Sequence, residues 1–328
     1  MQRKTIEKVI RKKLNEWLES ITDKELSKQV KENLLLSGGS ICNLFMGQEV
    51  NDYDIYLKDM DVLVKLVEYY KSICNANIII MDGRKKDDYT RLCSNLDYTE
   101  LNKSIGLDLS EEKMEKSHAQ YDVAVRNLKP TQVKLYIPHG TGGLDVKDES
   151  EDWYSRMGID EPKYYPLFIS PNAISLSDDI QIVTRFTGDA EAIHKTFDFI
   201  HATNYFTFKD GLVTNLRAME SIITKTLYYQ GSFYPLTSII RVKKFIGRQW
   251  KISAGEMLKI MFQLSQLNLN DPDVLEDQLI GVDVAYFGIL INVLRGYYEK
   301  GESITSERLS TIIDRIFNDM DETDNDYE

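Results

Sequence analysis

In the stretch LLLSGGSICNLFMGQEVNDYDIYL, a Ser37-Gly38-Gly39-Ser40 turn precedes two aspartates one residue apart, Asp52 and Asp54. Alternate side chains of a strand share a face, so DYDIYL would aim both carboxylates one way and send Tyr53 and Ile55 into a core. Two carboxylates held together repel unless a cation lies between them. Magnesium suits that position, because it takes carboxylate, water and phosphate oxygens. The glycines supply the complementary half. A strand, Gly-Gly and a helix beginning near Ser40 direct free backbone N–H groups at an anion, and the helix dipole adds to the attraction. Glycine admits a phosphate close to the backbone, and the Ser40 hydroxyl offers one more donor.

The surrounding elements have to place the turn beside the aspartates. LLLS reads as a short buried strand, and residues 41–47 as a short helix ended by Gly47 that brings the chain back. Ahead of them lie two amphipathic helices, about 5–20 and 23–33, with Thr22 as a cap. After them come a helix in MDVLVKLVEYYKSI and a strand in NIIIM. The stretch from about 83 to 165 is charged and weakly periodic; it reads as an insertion of loops, one strand (VKLYIP) and a helix. Regular pattern returns with strands in PLFISPNAISLSDDIQIVTRF, a helix in GDAEAIHKT, and a strand that turns and continues in FDFIHATNYFTF. Beyond Asp210 only helical spacing is seen, and the acidic tail NDMDETDNDYE lacks the apolar residues that order a chain. The predicted organisation is N-terminal helices (1–33), an α+β mixed-sheet domain (34–210, with its insertion), an α-helical domain (211–317) and a disordered tail (318–328).

The order apolar strand, Gly-Gly, short helix, acidic-apolar-acidic strand resembles the signature of the DNA polymerase β-like nucleotidyltransferase superfamily. The spacing, with Gly47 between turn and aspartates, is similar to the head domain of tRNA nucleotidyltransferases and bacterial poly(A) polymerases. Those enzymes carry an Arg-Asp pair shortly after the glycines, where this chain has Cys42-Asn43. Their later Arg-Arg-Asp and nucleotide-selecting motifs have no match either, so the resemblance is to the superfamily more than to that branch. It implies two magnesium ions on Asp52 and Asp54, an NTP held at Gly38, Gly39 and Ser40, and transfer of NMP to an acceptor hydroxyl. It also implies a third carboxylate from a later strand. Asp198 is the candidate: it lies between Phe197 and Phe199, where a charge is costly without a partner or a metal. Asp178 and Asp179 are weaker alternatives, because they read as a turn.

Relatives of this kind add Lys or Arg from a following helical domain to the triphosphate. SIIRVKKFIGRQW is the matching segment here. Arg241, Lys244 and Arg248 fall broadly on one helix face, Arg suited to bidentate phosphate binding and Lys to a point contact. A solvated basic face is the equal alternative. Lys225 and Arg185 are weaker candidates of the same kind, and Tyr228, Tyr229, Phe233 and Tyr234 read as core before base-stacking. His118, His139, His194 and His201 are too dispersed for a metal site, although His194 and His201 flank Asp198 closely enough for a supporting hydrogen bond. HGTGG (139–143) lacks the helix that a phosphate loop would need after it.

With 328 residues and 42% hydrophobic content, the chain can bury a real core, and no apolar run is long enough to span a membrane. Cys42, Cys74 and Cys93 form neither a disulfide framework nor a zinc pattern, which points to a cytoplasmic protein with reduced thiols. The net charge of −12 disfavours broad, nonspecific nucleic-acid binding. A local basic site is still expected, since no Asp or Glu occurs from Ser221 to Gly255. The acceptor favoured by the spacing is an RNA 3′ end of the tRNA kind. The acidic balance keeps a protein side chain or a small molecule as alternatives, and a catalytically inactive nucleotide- or partner-binding member of the fold is the rival reading.

Overall fold

The computed structural model describes residues 2–95, 121, 124–137, 143–146, 163–269, 271–279, 293–294, 296–297, 300–302 and 305–323. The chain forms two compact units, Met1–Thr224 and Lys225–Glu328.

The first unit opens with α1 (Arg3–Ser20) and α2 (Lys24–Asn33). Ile6, Ile10, Leu14, Trp17 and Leu18 recur at helical spacing along α1 and are all buried, the mark of one face packed on a core. Trp17 Nε1 donates to Tyr70 Oη at 2.8 Å, tying α1 to α4 (Met60–Ile73). Asp23, not Thr22, caps α2: its carboxylate accepts from the Glu25 and Leu26 N–H groups. A carboxylate at that position satisfies two otherwise orphaned amides and is favoured by the helix dipole.

The chain then enters β1 (Leu34–Ser37), α3 (Gly39–Met46) and β2 (Tyr53–Leu57). Gly47 ends α3 at φ 71°, and its neighbourhood closes the helix with bonds to Asn43 and Leu44 carbonyls. β3 (Ile79–Asp82) pairs antiparallel with β4 (Val133–Tyr136) in a separate two-stranded sheet. Between them lie a 3-10 turn, Gly83–Lys85, and α5 (Lys86–Asn95). These ordered elements replace part of what the sequence reading leaves as insertion loops. Residues 96–120 and most of 138–162, including HGTG at 139–142, lie outside the described residues.

β5 (Leu144–Asp145), β6 (Pro166–Ser170), β7 (Ala173–Leu176) and β8 (Ile180–Thr187) follow, then α6 (Ala190–His194), a 3-10 turn (Ile200–Ala202), β9 (Tyr205–Thr207), β10 (Gly211–Val213) and α7 (Leu216–Thr224). The main sheet has the order β10-β9-β1-β2-β8-β7-β6-β5. β1 is central, antiparallel to β2 (Leu36↔Ile55) and to β9 (Leu36↔Phe206). β2 and β8 run parallel, with Asp54 beside Gln181, and the remaining pairs are antiparallel, so the sheet is mixed.

One face of β1–β2 carries Leu34, Leu36, Tyr53, Ile55 and Leu57 into the large core with α1, α2 and α4. Tyr53 and Ile55 are therefore inside, as the alternation predicts. Leu35 and Tyr56 point to the other face, against Ile193, Phe197 and Tyr205. Burial on both faces explains why all four residues of β1 are buried.

One expectation changes here. Asp198 does not sit in a strand but in a bend after α6, and the strand that follows, β9, pairs with β1. The short Phe197–Phe199 segment is apolar enough to look like a strand, yet β2 already has β1 and β8 as its two neighbours. Asp178 and Asp179 form the β7–β8 turn, both at left-handed φ (55° and 57°).

The second unit holds α8 (Pro235–Gly247), α9 (Ala254–Leu264), α10 (Pro272–Leu279) and α11 (Ser306–Thr323), packed around Leu236, Leu275, Leu279 and Leu294. A two-residue parallel pair, β11 (Thr226–Leu227) with β12 (Lys251–Ile252), interrupts the helices. α11 continues through Thr323, into the stretch expected to be disordered; no glycine or proline from Ser306 to Thr323 stops it. Most of VAYFGILINVLRGYYEK, a segment with helical spacing, lies outside the described residues.

Candidate functional site

β1 delivers the chain to Gly38, which adopts φ 103° and ψ −153°, a conformation open to glycine alone. A Cβ there would also stand 2.9 Å from Asp54 Oδ2, so the carboxylate would have to shift. Turn and aspartate strand are thus brought together by the β1–β2 register, with the carboxylate of Asp54 against the backbone of the turn. A Cβ on Gly39 would meet nothing within 4 Å, so the adjacent side of the turn is open.

Gly38 is the N-cap of α3 and provides no side-chain bond to the helix start. Ser40, in the first turn of α3, is 3% exposed, and its Oγ is buried with no hydrogen-bond partner among the described residues. A buried hydroxyl without a partner costs about 1–3 kcal/mol, so an incoming polar group would be favoured beside it. Asp52 is exposed just before β2, and Asp54 is half-buried within it. The donor set, carboxylates with an uncapped helix start and a spare hydroxyl, fits a magnesium-bound phosphate chemically.

Behind the turn lies a polar hub that the sequence did not announce. Ser37, fully buried, places Oγ 2.8 Å from the Asn204 carbonyl, 3.1 Å from the Ala202 carbonyl and 2.9 Å from His194 Nε2. The Gly38 N–H donates to the same Ala202 carbonyl at 3.1 Å. Asn204 Oδ1 accepts from the Asn215 N–H, and Asn215 Nδ2 donates to Thr203 Oγ1. Burial pushes the His194 imidazole down to about 4, so it is neutral at ordinary pH. The available signal was a serine ending an otherwise apolar strand, since a buried hydroxyl needs a partner.

The remaining candidates are dispersed. Asp198 is 7% exposed, in the segment whose later residues, Ala202 and Asn204, hold the turn. Among the described residues, no group of three or more His, Cys, Asp and Glu is arranged to hold a metal, so Asp52, Asp54 and Asp198 are not gathered into one. His201 is buried and stacks on Phe199. Arg185 is buried in β8 with its guanidinium 5.3 Å from the Phe186 ring. In the second unit, Arg241 and Lys244 are exposed on α8, and Arg248 is exposed just past its end. Lys225 takes a left-handed φ of 48°, and Tyr229 and Tyr234 are buried while Phe233 is 52% exposed. His118 and His139 lie outside the described residues.

A family model described as Gabija anti-defense 2 family protein matches residues 8–225. A curated relative, Gabija anti-defense 2 of Bacillus phage SPbetaL7, is 30% identical over 102 residues, covering 30% of this chain and 25% of that protein. Among solved structures, the chain resembles a tRNA-processing enzyme in its apo form (11% identity, TM-score 0.37, 87% of this chain and 56% of that one). It also resembles a Thermotoga maritima CCA-adding enzyme complexed with a tRNA (13%, 0.35, 87% and 53%) and a Bacillus stearothermophilus CCA-adding enzyme in complex with CTP (11%, 0.32, 85% and 51%). The match thus spans a quarter of the curated relative and about half of each solved chain.

Proposed function

The chain belongs to the Gabija anti-defense 2 family, and from that premise we propose that it is a metal-dependent nucleotidyltransferase acting against the Gabija defence. The observation that carries the reading is the close approach of Gly38 and Asp54 at an uncapped helix start: a Cβ would be 2.9 Å from the carboxylate. A turn of that shape presents backbone donors to phosphate oxygens while a carboxylate waits beside it.

In this reading, Gly38, Gly39 and Ser40 orient the triphosphate, the amides by direction and Ser40 Oγ by the bond it otherwise lacks. Asp52 and Asp54 would hold magnesium, with Asp198 the candidate for completing the set from a segment tethered to the turn. When bound, the metal supplies charge neutralisation on the phosphates and a more acidic acceptor hydroxyl. Arg241, Lys244 and Arg248, exposed in and just after α8, are the candidate cations for phosphate, by residue type alone. Most of the rate would come from positioning and electrostatics, because phosphoryl chemistry asks little covalent help of the protein. The acceptor proposed is an RNA 3′ end; a protein of the Gabija system or a small molecule is the alternative.

The test is incubation of the purified protein with each α-labelled NTP, magnesium, and either total RNA or extract from Gabija-bearing cells. Asp52→Ala/Asp54→Ala serves as control. Label entering RNA and lost in the double mutant supports the full reading. Label on protein or a small molecule keeps the chemistry and replaces the acceptor. Magnesium-dependent NTP binding without transfer to any acceptor supports a nucleotide-binding, inactive member, and no NTP binding overturns the reading.

A further inference from the structure

The hub behind the turn contains one more proton-assignment problem than its atoms first suggest. Ser37 Oγ lies within hydrogen-bond distance of two carbonyl oxygens, at 2.8 and 3.1 Å, and of His194 Nε2 at 2.9 Å. The hydroxyl has one proton and two lone pairs, while a carbonyl oxygen can only accept. If Ser37 donated to an unprotonated Nε2, both carbonyls would face oxygen lone pairs inside a buried site. If His194 carries its proton on Nε2 and donates, Ser37 Oγ accepts from the ring and gives its own proton to the Asn204 carbonyl. The second arrangement gives each carbonyl a donor, since the Ala202 carbonyl takes the Gly38 N–H at 3.1 Å, and it places the ring proton on Nε2.

From this we infer that His194 is a positioning residue for the Gly-Gly-Ser turn: neutral His194, through Nε2–H, orients the Ser37 hydroxyl, and Ser37 clamps the end of β1 to the Ala202–Asn204 segment. The Gly38 N–H completes the clamp at the Ala202 carbonyl. The direction in which Gly39, Ser40 and their amides face is thereby set from behind, by residues that touch no substrate. The ring is held by Phe197 and Tyr205, at centroid distances of 5.4 and 5.7 Å, so it has a fixed place from which to donate. The inference about phosphate binding rests on the nucleotidyltransferase reading; the clamp itself does not.

Three variants of the full chain separate these. His194→Gln keeps an N–H donor at a similar reach, His194→Leu removes it, and His194→Asn is polar but too short to reach Ser37. Two readouts are taken on variants that melt above the assay temperature: amide hydrogen exchange in a peptide covering Gly38–Ile41, and affinity for an NTP against the corresponding NMP with magnesium. The expected result is at least about tenfold faster exchange in the Leu and Asn variants, with Gln close to wild type. NTP affinity should fall about tenfold in the same two variants while NMP affinity holds, because only the β- and γ-phosphates use the turn. A mere loss of packing would lower stability without changing the NTP-to-NMP ratio or separating Gln from Asn. Unchanged exchange in the Leu and Asn variants overturns the clamp. Faster exchange with no NTP binding by the wild type keeps the clamp and sinks the nucleotide reading. Faster exchange with an unchanged ratio overturns the assignment of the clamp to phosphate positioning.

Discussion

Two strand-to-helix turns in the first unit are built on glycine, and they are finished in opposite ways. After β3, Asp82 closes the helix start itself: its Oδ1 accepts from the Arg84 N–H at 3.0 Å, and the Arg84 guanidinium bonds to both carboxylate oxygens and on to Asp61. Those bonds hold the Asp82 carboxyl below its usual range. Gly83 is needed because the Lys129 carbonyl passes so near that a Cβ would lie 1.9 Å from it. After β1, the cap is Gly38, which supplies no side chain, and Ser40 Oγ is left without a partner among the described residues. A turn that satisfies itself serves the fold. One that leaves a helix start uncapped beside a carboxylate fits the phosphate site proposed above.

The largest effect expected is at the open turn's carboxylates. Asp52→Ala/Asp54→Ala should lower nucleotidyl transfer by at least about a thousandfold with little change in melting temperature, measured in single turnover. The comparison breaks if that double mutant unfolds, since the aspartates would then be structural like Asp82. Next come the two glycines. Gly38→Ala should weaken NTP binding about a hundredfold and cost roughly 1–2 kcal/mol in urea unfolding, through its positive φ and its contact with Asp54. Gly83→Ala should do the reverse: a stability loss of about 2–4 kcal/mol, with NTP affinity of the folded protein unchanged.

How far the two turns could be read in advance differs in the same way. The open turn was legible because glycines, a short apolar helix and an Asp-Tyr-Asp strand are local, periodic features. The closed turn was not. MDGRKKDDY is so charged that its helix carries little apolar period, and the need for glycine at 83 comes from the Lys129 carbonyl, distant in the chain. Asp198 was misplaced for a related reason: strand order is a long-range property, and nothing in Phe197–Phe199 says that β8 already occupies the edge of β2. Ser37 and His194 are far apart in the chain, so their contact left only the trace of a serine in an apolar strand.

Smaller effects sharpen the contrast through pH. Arg84→Met should cost about 1 kcal/mol, modest because the guanidinium is half in water. The Asp82 pair contributes above the carboxylate's unfolded pKa and is lost as pH falls through its lowered folded value, so the wild-type and Arg84→Met unfolding curves should converge below about pH 4. His194 acts in a higher window. Its folded pKa, about 4, lies below the usual 6.5, so between those values the unfolded chain binds more protons. Stability should fall as pH drops from about 6.5 to 4, by roughly 1–2 kcal/mol once partial exposure of the ring is discounted. His194→Gln should flatten that slope while leaving the acid limb below pH 4 in place.

The clamp on the open turn also has a consequence for biosynthesis. Ser37 is held by the carbonyls of Ala202 and Asn204 and by His194, and β1 takes its second strand neighbour from Tyr205–Thr207. Helices α1 and α2, β1 and β2 leave the ribosome early, but the partners that fix the turn emerge only after most of the first unit has been translated. During that interval the central strand has an unpaired edge of leucines, which is the kind of surface that chaperones bind and that seeds aggregation. Contacts of such sequence separation also slow folding. Competence to bind a ligand would therefore appear as a late step on the nascent chain, and a chain released before residue 194 would carry Asp52 and Asp54 without the groups that hold the turn.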